Sequence, residues 1–186
     1  MRKEPAAMTA VRKGGGLLTV FMALSFAASM QAAPKVGTPV PSNVVHPAPD
    51  FAWIGAGNKT FPSKNFRGQP VVILVAPSPD ARALRKQAAR IEDLYLGFSA
   101  KKTVFVAAFT AQTGRVESNV PYAVAANGAS VAAAYGARPG EFSVIVISPD
   151  GNVDMVSEKV EGAQRILDVI NNTFQTQAAA RTGIGS

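Results

Sequence analysis

The sequence predicts an α/β protein built as a three-layer sandwich, a central mixed sheet with helices on both faces. VVILVA (71–76) and TVFVAAF (103–109) are unbroken apolar runs rich in β-branched and aromatic residues, the pattern of strands covered on both faces. Between them Leu84, Ala88, Ile91, Tyr95 and Phe98 recur at helical spacing, so the two strands join through a helical crossover and lie parallel. FSVIVI (142–147) and NVDMVS (152–157) flank the turn SPDG, which marks an antiparallel hairpin completing the sheet.

The elements follow in order, after a leader. Arg2, Lys3, Arg12 and Lys13 precede the apolar run LLTVFMALSFAA (17–28), and small residues continue to Ala33, the layout of a secretory signal peptide over residues 1–33. The run is shorter than the roughly 20 residues that span a bilayer, so cleavage is expected, leaving no transmembrane segment. The compartment implied is the periplasm, with extracellular release as the other destination. Residues 34–49 carry five prolines and read as an extended arm. The folded domain is expected over 50–174. FAWI (51–54) pairs with KTF (59–61) through a Gly57-Asn58 turn. After the first long strand, Ser78 suits an N-cap and Pro79 the first helical position of a helix of nearly five turns. Residues 112–127 are rich in Thr, Ser, Gly, Asn and Ala and read as loop, followed by a short helix near 130–135. The last helix, about 160–174, places Ala163, Ile166, Leu167, Ile170 and Phe174 on one face. Residues 175–186 show no core pattern and are expected to fray as a flexible tail.

Composition narrows the function. A chain of 186 residues with 47% hydrophobic and 17% charged residues is globular and long enough for one domain. The leader holds four basic residues and one acidic one, so its removal lowers the formal charge from +7 to +4. That charge, with no basic block and no aromatic interleaving, is no signature of nucleic-acid binding. There is no cysteine. A disulfide, a thiolate metal site, a thiol nucleophile and a lipidated cysteine are all excluded.

Two blocks resemble the thioredoxin-like superfamily, in particular the exported redoxins that include thiol peroxidases and periplasmic disulfide reductases. Pro49, Asp50 and Phe51 precede a hairpin, and Arg67, Gly68, Gln69 and Pro70 announce the first central strand, as in the family's opening. AAAYGARPGEFSVIVISPDGNV resembles the later block, in which Tyr-Gly leads to a cis-proline and then to a strand ending in Asp-Gly. The resemblance spans about residues 36–174 and implies the thioredoxin-like version of the three-layer sandwich. The chemical motifs depart from it. The family's C-x-x-C falls near Asp80 and Ala83, and the peroxidase motif keeps Pro77 but has Ala81 and Leu84 where Thr and Cys belong. The cis-proline position falls near Phe142, where a trans peptide is expected because a cis bond before a non-proline residue costs about 2.5–4 kcal/mol.

The remaining candidates are binding groups; no catalytic residue, metal or cofactor is assigned. A helix N-terminus at the carboxyl end of a buried strand favours an anion, and Ser78 and Asp80 stand there, although both also suit ordinary capping. Arg82, Arg85, Lys86 and Arg90 share one arc of the helix, a basic stripe for an acidic protein partner or small anion, or else a solvated face. Asp150, Asn152, Asp154 and Glu161 match calcium-loop positions in part, with Met155 at the position that needs glycine. Glu92 and Asp93, adjacent on a helix, point about 100° apart and form no carboxylate pair. The only histidine, His46, lies in the arm and reads as a surface residue. The leading reading is an exported, cysteine-free thioredoxin-fold binding or scaffold module of the cell envelope. The alternative is a redoxin-like antioxidant or oxidoreductase working through non-cysteine groups, and a third is a structural envelope protein that interacts through its arm.

Overall fold

The computed structural model describes residues 46–182, with side chains through Thr173. Seven strands form one mixed sheet: β1 (Ala52–Ile54), β2 (Thr60–Pro62), β3 (Val71–Ala76), β4 (Val104–Phe109), β5 (Tyr122–Ala125), β6 (Ser143–Ile147) and β7 (Val153–Ser157). Their spatial order is β2-β1-β5-β4-β3-β6-β7. β3, β4 and β5 run parallel, while β6, β7, β1 and β2 join antiparallel at the two sides. All six residues of β3 are buried, as its unbroken apolar run requires.

The helices are α1 (Arg82–Asp93), α2 (Tyr95–Ala100), α3 (Gly128–Ala134) and α4 (Ala163–Thr182). Alternating strand residues divide the core. Val72, Leu74, Ala107, Val144 and Val146 point to the side where Leu84, Ile91, Phe98 and Ile166 of α1, α2 and α4 pack. Ile73, Val75, Val106 and Ile145 point to the other side, against Val131 and Ala132 of α3. The expected three-layer sandwich is present.

Several boundaries differ from expectation. β5 lies inside the stretch read as loop and bridges β4 to β1, with Phe105 opposite Tyr122 and Trp53 opposite Ala125. The crossover helix begins at Arg82 and breaks at Leu94, whose φ of −119° and ψ of 20° divide α1 from α2. Phe98 still reaches the core beyond the break, edge-on to Phe105 at 5.3 Å between ring centroids. α4 runs on to Thr182, through residues expected to fray; Ala, Gln and Arg in QTQAAART are strong helix formers, and local propensity suffices where no core pattern does. The leader and the arm before His46 lie outside the described residues. From His46 the arm pairs with the edge of β7: the Val153 N–H donates to the His46 carbonyl at 2.9 Å and the Ala48 N–H to the Gly151 carbonyl at 2.8 Å.

Candidate functional site

At the carboxyl end of β3 the chain makes a β-turn before α1. The Ala81 N–H donates to the Ser78 carbonyl at 3.2 Å, with Pro79 and Asp80 at the turn's centre. Ala81 then adopts an extended ψ of 125°, and no side chain caps the helix. Ser78 and Asp80 are therefore turn residues and not capping residues. Proline favours the second position of such a turn as much as the first position of a helix, and the sequence alone does not separate the two.

This turn is roofed by the segment that follows β4. The Pro77 carbonyl accepts from the Ala111 and Gln112 N–H groups at 3.1 and 3.0 Å. Gly114 lies so close to Pro79 that a Cβ would come within 2.4 Å of the proline ring. Below the roof, Leu84 has no solvent exposure and packs in the core with Phe109, Val120 and Phe142. Ala83 is half-buried, Asp80 is exposed and the peptide entering Phe142 is trans. The positions near which the resemblance would place thiols and a cis-proline thus hold an exposed carboxylate, a half-buried methyl and close-packed hydrocarbon.

Arg82, Arg85 and Lys86 stand exposed on α1. None of the salt bridges among the described residues engages them. Arg90 leaves the stripe: half-buried, it donates to the Val160 carbonyl at 3.2 Å, tying α1 to the segment before α4. The buried Gln87 reinforces that tie by accepting from the Glu161 N–H at 2.7 Å. The Glu161 carboxylate accepts from the Ser157 hydroxyl at 2.6 Å and pairs with Arg165 at 3.5 Å.

Those contacts set Asp150 and Glu161, the outer positions of the partial calcium-loop match, at opposite ends of β7. Asp150 accepts from the Ser148 hydroxyl and, at 3.2 Å, from the Asn152 N–H, closing the turn at one end of β7. Glu161 lies beyond the other end of that strand. The Asp154 carboxyl is held above its ordinary value chiefly by burial. Among the described residues no group of three or more His, Asp or Glu side chains is placed to hold a metal ion, and no helix is long and apolar enough to cross a membrane.

Glu92 proves to be an anchor. Its carboxylate accepts from the Ser118 hydroxyl at 3.2 Å and from the Asn119 side-chain amide, fixing the far end of the β4–β5 segment to α1. Beneath that segment lies a cavity of about 620 Å³, with Phe109, Tyr122, Val124 and Val116 in its walls and Arg115 on its lining. The Tyr122 phenol is raised above its ordinary value by burial and, second, by the Glu92 charge. Sequence reading missed this cavity, because it exists only once β5 joins the sheet and the segment folds back over it. Val116 and Val120, two apolar residues in an otherwise polar stretch, were the available signal. A cavity of about 580 Å³ lies elsewhere, lined by Asp50, Lys64, Arg67 and Asp150, charges of both signs.

No family model and no curated protein matches the sequence. Solved structures do. The peroxidoxin BcpB of Mycobacterium tuberculosis is 18% identical, with a TM-score of 0.55 over 69% of this chain and 96% of that one. The mitochondrial 2-Cys peroxiredoxin of Plasmodium falciparum is 12% identical, with a TM-score of 0.57 over 74% and 97%. A protein of Chlorobium tepidum described as a DsbE-type thiol:disulfide interchange protein is 17% identical, with a TM-score of 0.55 over 71% and 95%. At such identities the likeness is one of architecture, and it is specific: this cysteine-free chain has the thioredoxin-like fold shared by peroxiredoxins and DsbE-like redoxins.

Proposed function

We propose that the protein is exported and works as a binding module of the cell envelope, offering the surface from Ser78 and Asp80 along α1 to an acidic protein partner. The observation that carries this reading is the pairing of a filled interior with an unneutralised exterior. Leu84, where the resemblance would put the peroxidase thiol, has no exposure, while Arg82, Arg85 and Lys86 are exposed on the same helix with no acidic partner among the described residues. A cluster of unpaired cations on a rigid helix supports electrostatic recognition, which governs association rate and selectivity more than affinity. The signal-peptide pattern at residues 1–33 supports export.

The test is affinity capture from an envelope extract with the mature chain and its Arg82→Glu, Arg85→Glu, Lys86→Glu triple variant. Partners lost from the variant, and lost from the parent at high salt, are the expected result. An identical set of captured proteins removes the reading. N-terminal sequencing of the protein from a periplasmic fraction checks export separately, with a start between residues 29 and 34 expected.

A further inference from the structure

The fold covers one face of its sheet in two ways, and the second way leaves a binding site. α1 and α4 pack over β3 and β6. β5 and β1 receive the β4–β5 segment instead, and the cavity of about 620 Å³ lies between that segment and the strands. Ile54 of β1 and Ala107 of β4 are both register partners of Val124 of β5, so these side chains share one face. Together with Phe109 and Tyr122, Ile54 and Val124 make an apolar floor, and Val116 and Val120 line the segment's side.

We propose that this cavity binds a small organic carboxylate with an aromatic or branched aliphatic body, its head group held by Arg115. Three observations carry the assignment. The volume falls within the range of roughly 300–1,000 Å³ typical of small-molecule sites. Arg115 is the single charged residue lining it among the described residues, it is exposed, and no salt bridge engages it, so its guanidinium is available to a carboxylate in bidentate geometry. The walls are fixed before any ligand arrives. Pro77 holds the segment at Ala111 and Gln112, Glu92 holds it at Ser118 and Asn119, and Gly114 rests on Pro79. A preformed site does not pay for ordering a loop on binding. The cavity at Asp50 and Lys64 lacks this selectivity, since its lining presents both signs of charge.

The site is separate from the α1 surface, and its test does not depend on a protein partner. The mature protein is titrated with 2-naphthoate, with uncharged 2-naphthamide and with cationic 2-naphthylmethylamine, followed by ligand fluorescence and by amide chemical shifts. Expected are saturable binding of naphthoate, weaker binding of the amide, still weaker binding of the amine, and shifts concentrated at Arg115, Val116, Tyr122 and Val124. Arg115→Gln is expected to weaken naphthoate about tenfold and to leave naphthamide within about twofold. Val116→Trp, which fills the cavity from the segment's side, is expected to weaken both. Arg115 is exposed, so its substitution leaves the fold intact and decides the matter even if Val116→Trp unfolds. The proposal is overturned if naphthoate does not saturate, if the amine binds as well, if Arg115→Gln changes nothing, or if the shifts map to Arg82, Arg85 and Lys86.

Discussion

The half of the sheet under α1 and the half under the β4–β5 segment show what each kind of cover does to an interior. A helix delivers a side chain to the sheet every three or four residues, and Leu84, Ala88 and Ile91 of α1 pack their half without solvent access. The segment spans its half through anchors at its two ends, backbone bonds to Pro77 at one and the Glu92 carboxylate at the other, so the apolar floor beneath is only partly filled. The resemblance would put redoxin chemistry at the start of α1; there Leu84 is core while Asp80 and Arg82 are exposed, and the open volume lies under the β4–β5 segment.

The largest effect is expected where the halves meet. Gly128 begins α3 against the last residue of β4, and a Cβ there would lie 2.1 Å from the Phe109 carbonyl oxygen and 2.4 Å from its nitrogen. Backbone cannot yield as a flexible side chain can, so Gly128→Ala should cost about 3 kcal/mol or more, or prevent folding. Urea denaturation measures it. A cost under about 1 kcal/mol would mean that the junction is loose and the two halves are less distinct than described.

Next comes the packed half itself. Leu84→Ala should cost about 3 kcal/mol because a fully buried side chain leaves a cavity, whereas Val116→Ala on the segment should cost under about 1 kcal/mol. Equal costs would erase the contrast. Leu84→Cys sharpens it further by placing a thiol in that filled volume, where the resemblance would put the peroxidase cysteine. That thiol should resist a disulfide reagent in native buffer, react once the chain is unfolded, and consume no peroxide.

A smaller change is expected at the segment's anchor. Glu92→Gln removes the charge behind the Ser118 and Asn119 contacts and should cost about 1 kcal/mol. Amide exchange should quicken from 113 to 119 and stay unchanged around Leu84. Uniform acceleration would show that the two covers open together.

The same contrast explains what could be read from the sequence. β3, β4 and β6 were legible to within a residue, since a strand buried on both faces writes a continuous apolar run. β5 was not. YAVA is short, alanine-rich and preceded by a polar stretch with a proline, and only its pairing with two distant strands makes it a strand. Leu84 was legible as a core position by helical spacing, and its burial bears that out. Arg90 was placed correctly on the wheel, yet its long side chain reaches a carbonyl 70 residues away, which periodicity does not encode. The cavity depends on non-local pairing throughout, and no local pattern announces it.

The smallest effect, absent at neutral pH, distinguishes the faces by titration. Tyr122 under the segment and Tyr135 on the α3 side are both held above the ordinary tyrosine value of about 10, by burial first and then by Glu92 and Asp50 respectively. A raised native pKa means that the folded chain keeps a proton the unfolded chain gives up near pH 10. The stability this supplies is complete below pH 10 and falls as pH rises beyond it, by at most about 1.4 kcal/mol per pH unit for each phenol. Tyr122→Phe removes one of the two ionisations from both states. Its loss of stability between pH 9 and pH 11 in urea titrations should therefore be shallower than the parent's, with the Tyr135 share left. The Tyr122 hydroxyl is buried without a hydrogen-bond partner, so the substitution should cost little at pH 7. An unchanged alkaline slope would mean that the segment admits water to Tyr122, and the half described as roofed would then be open.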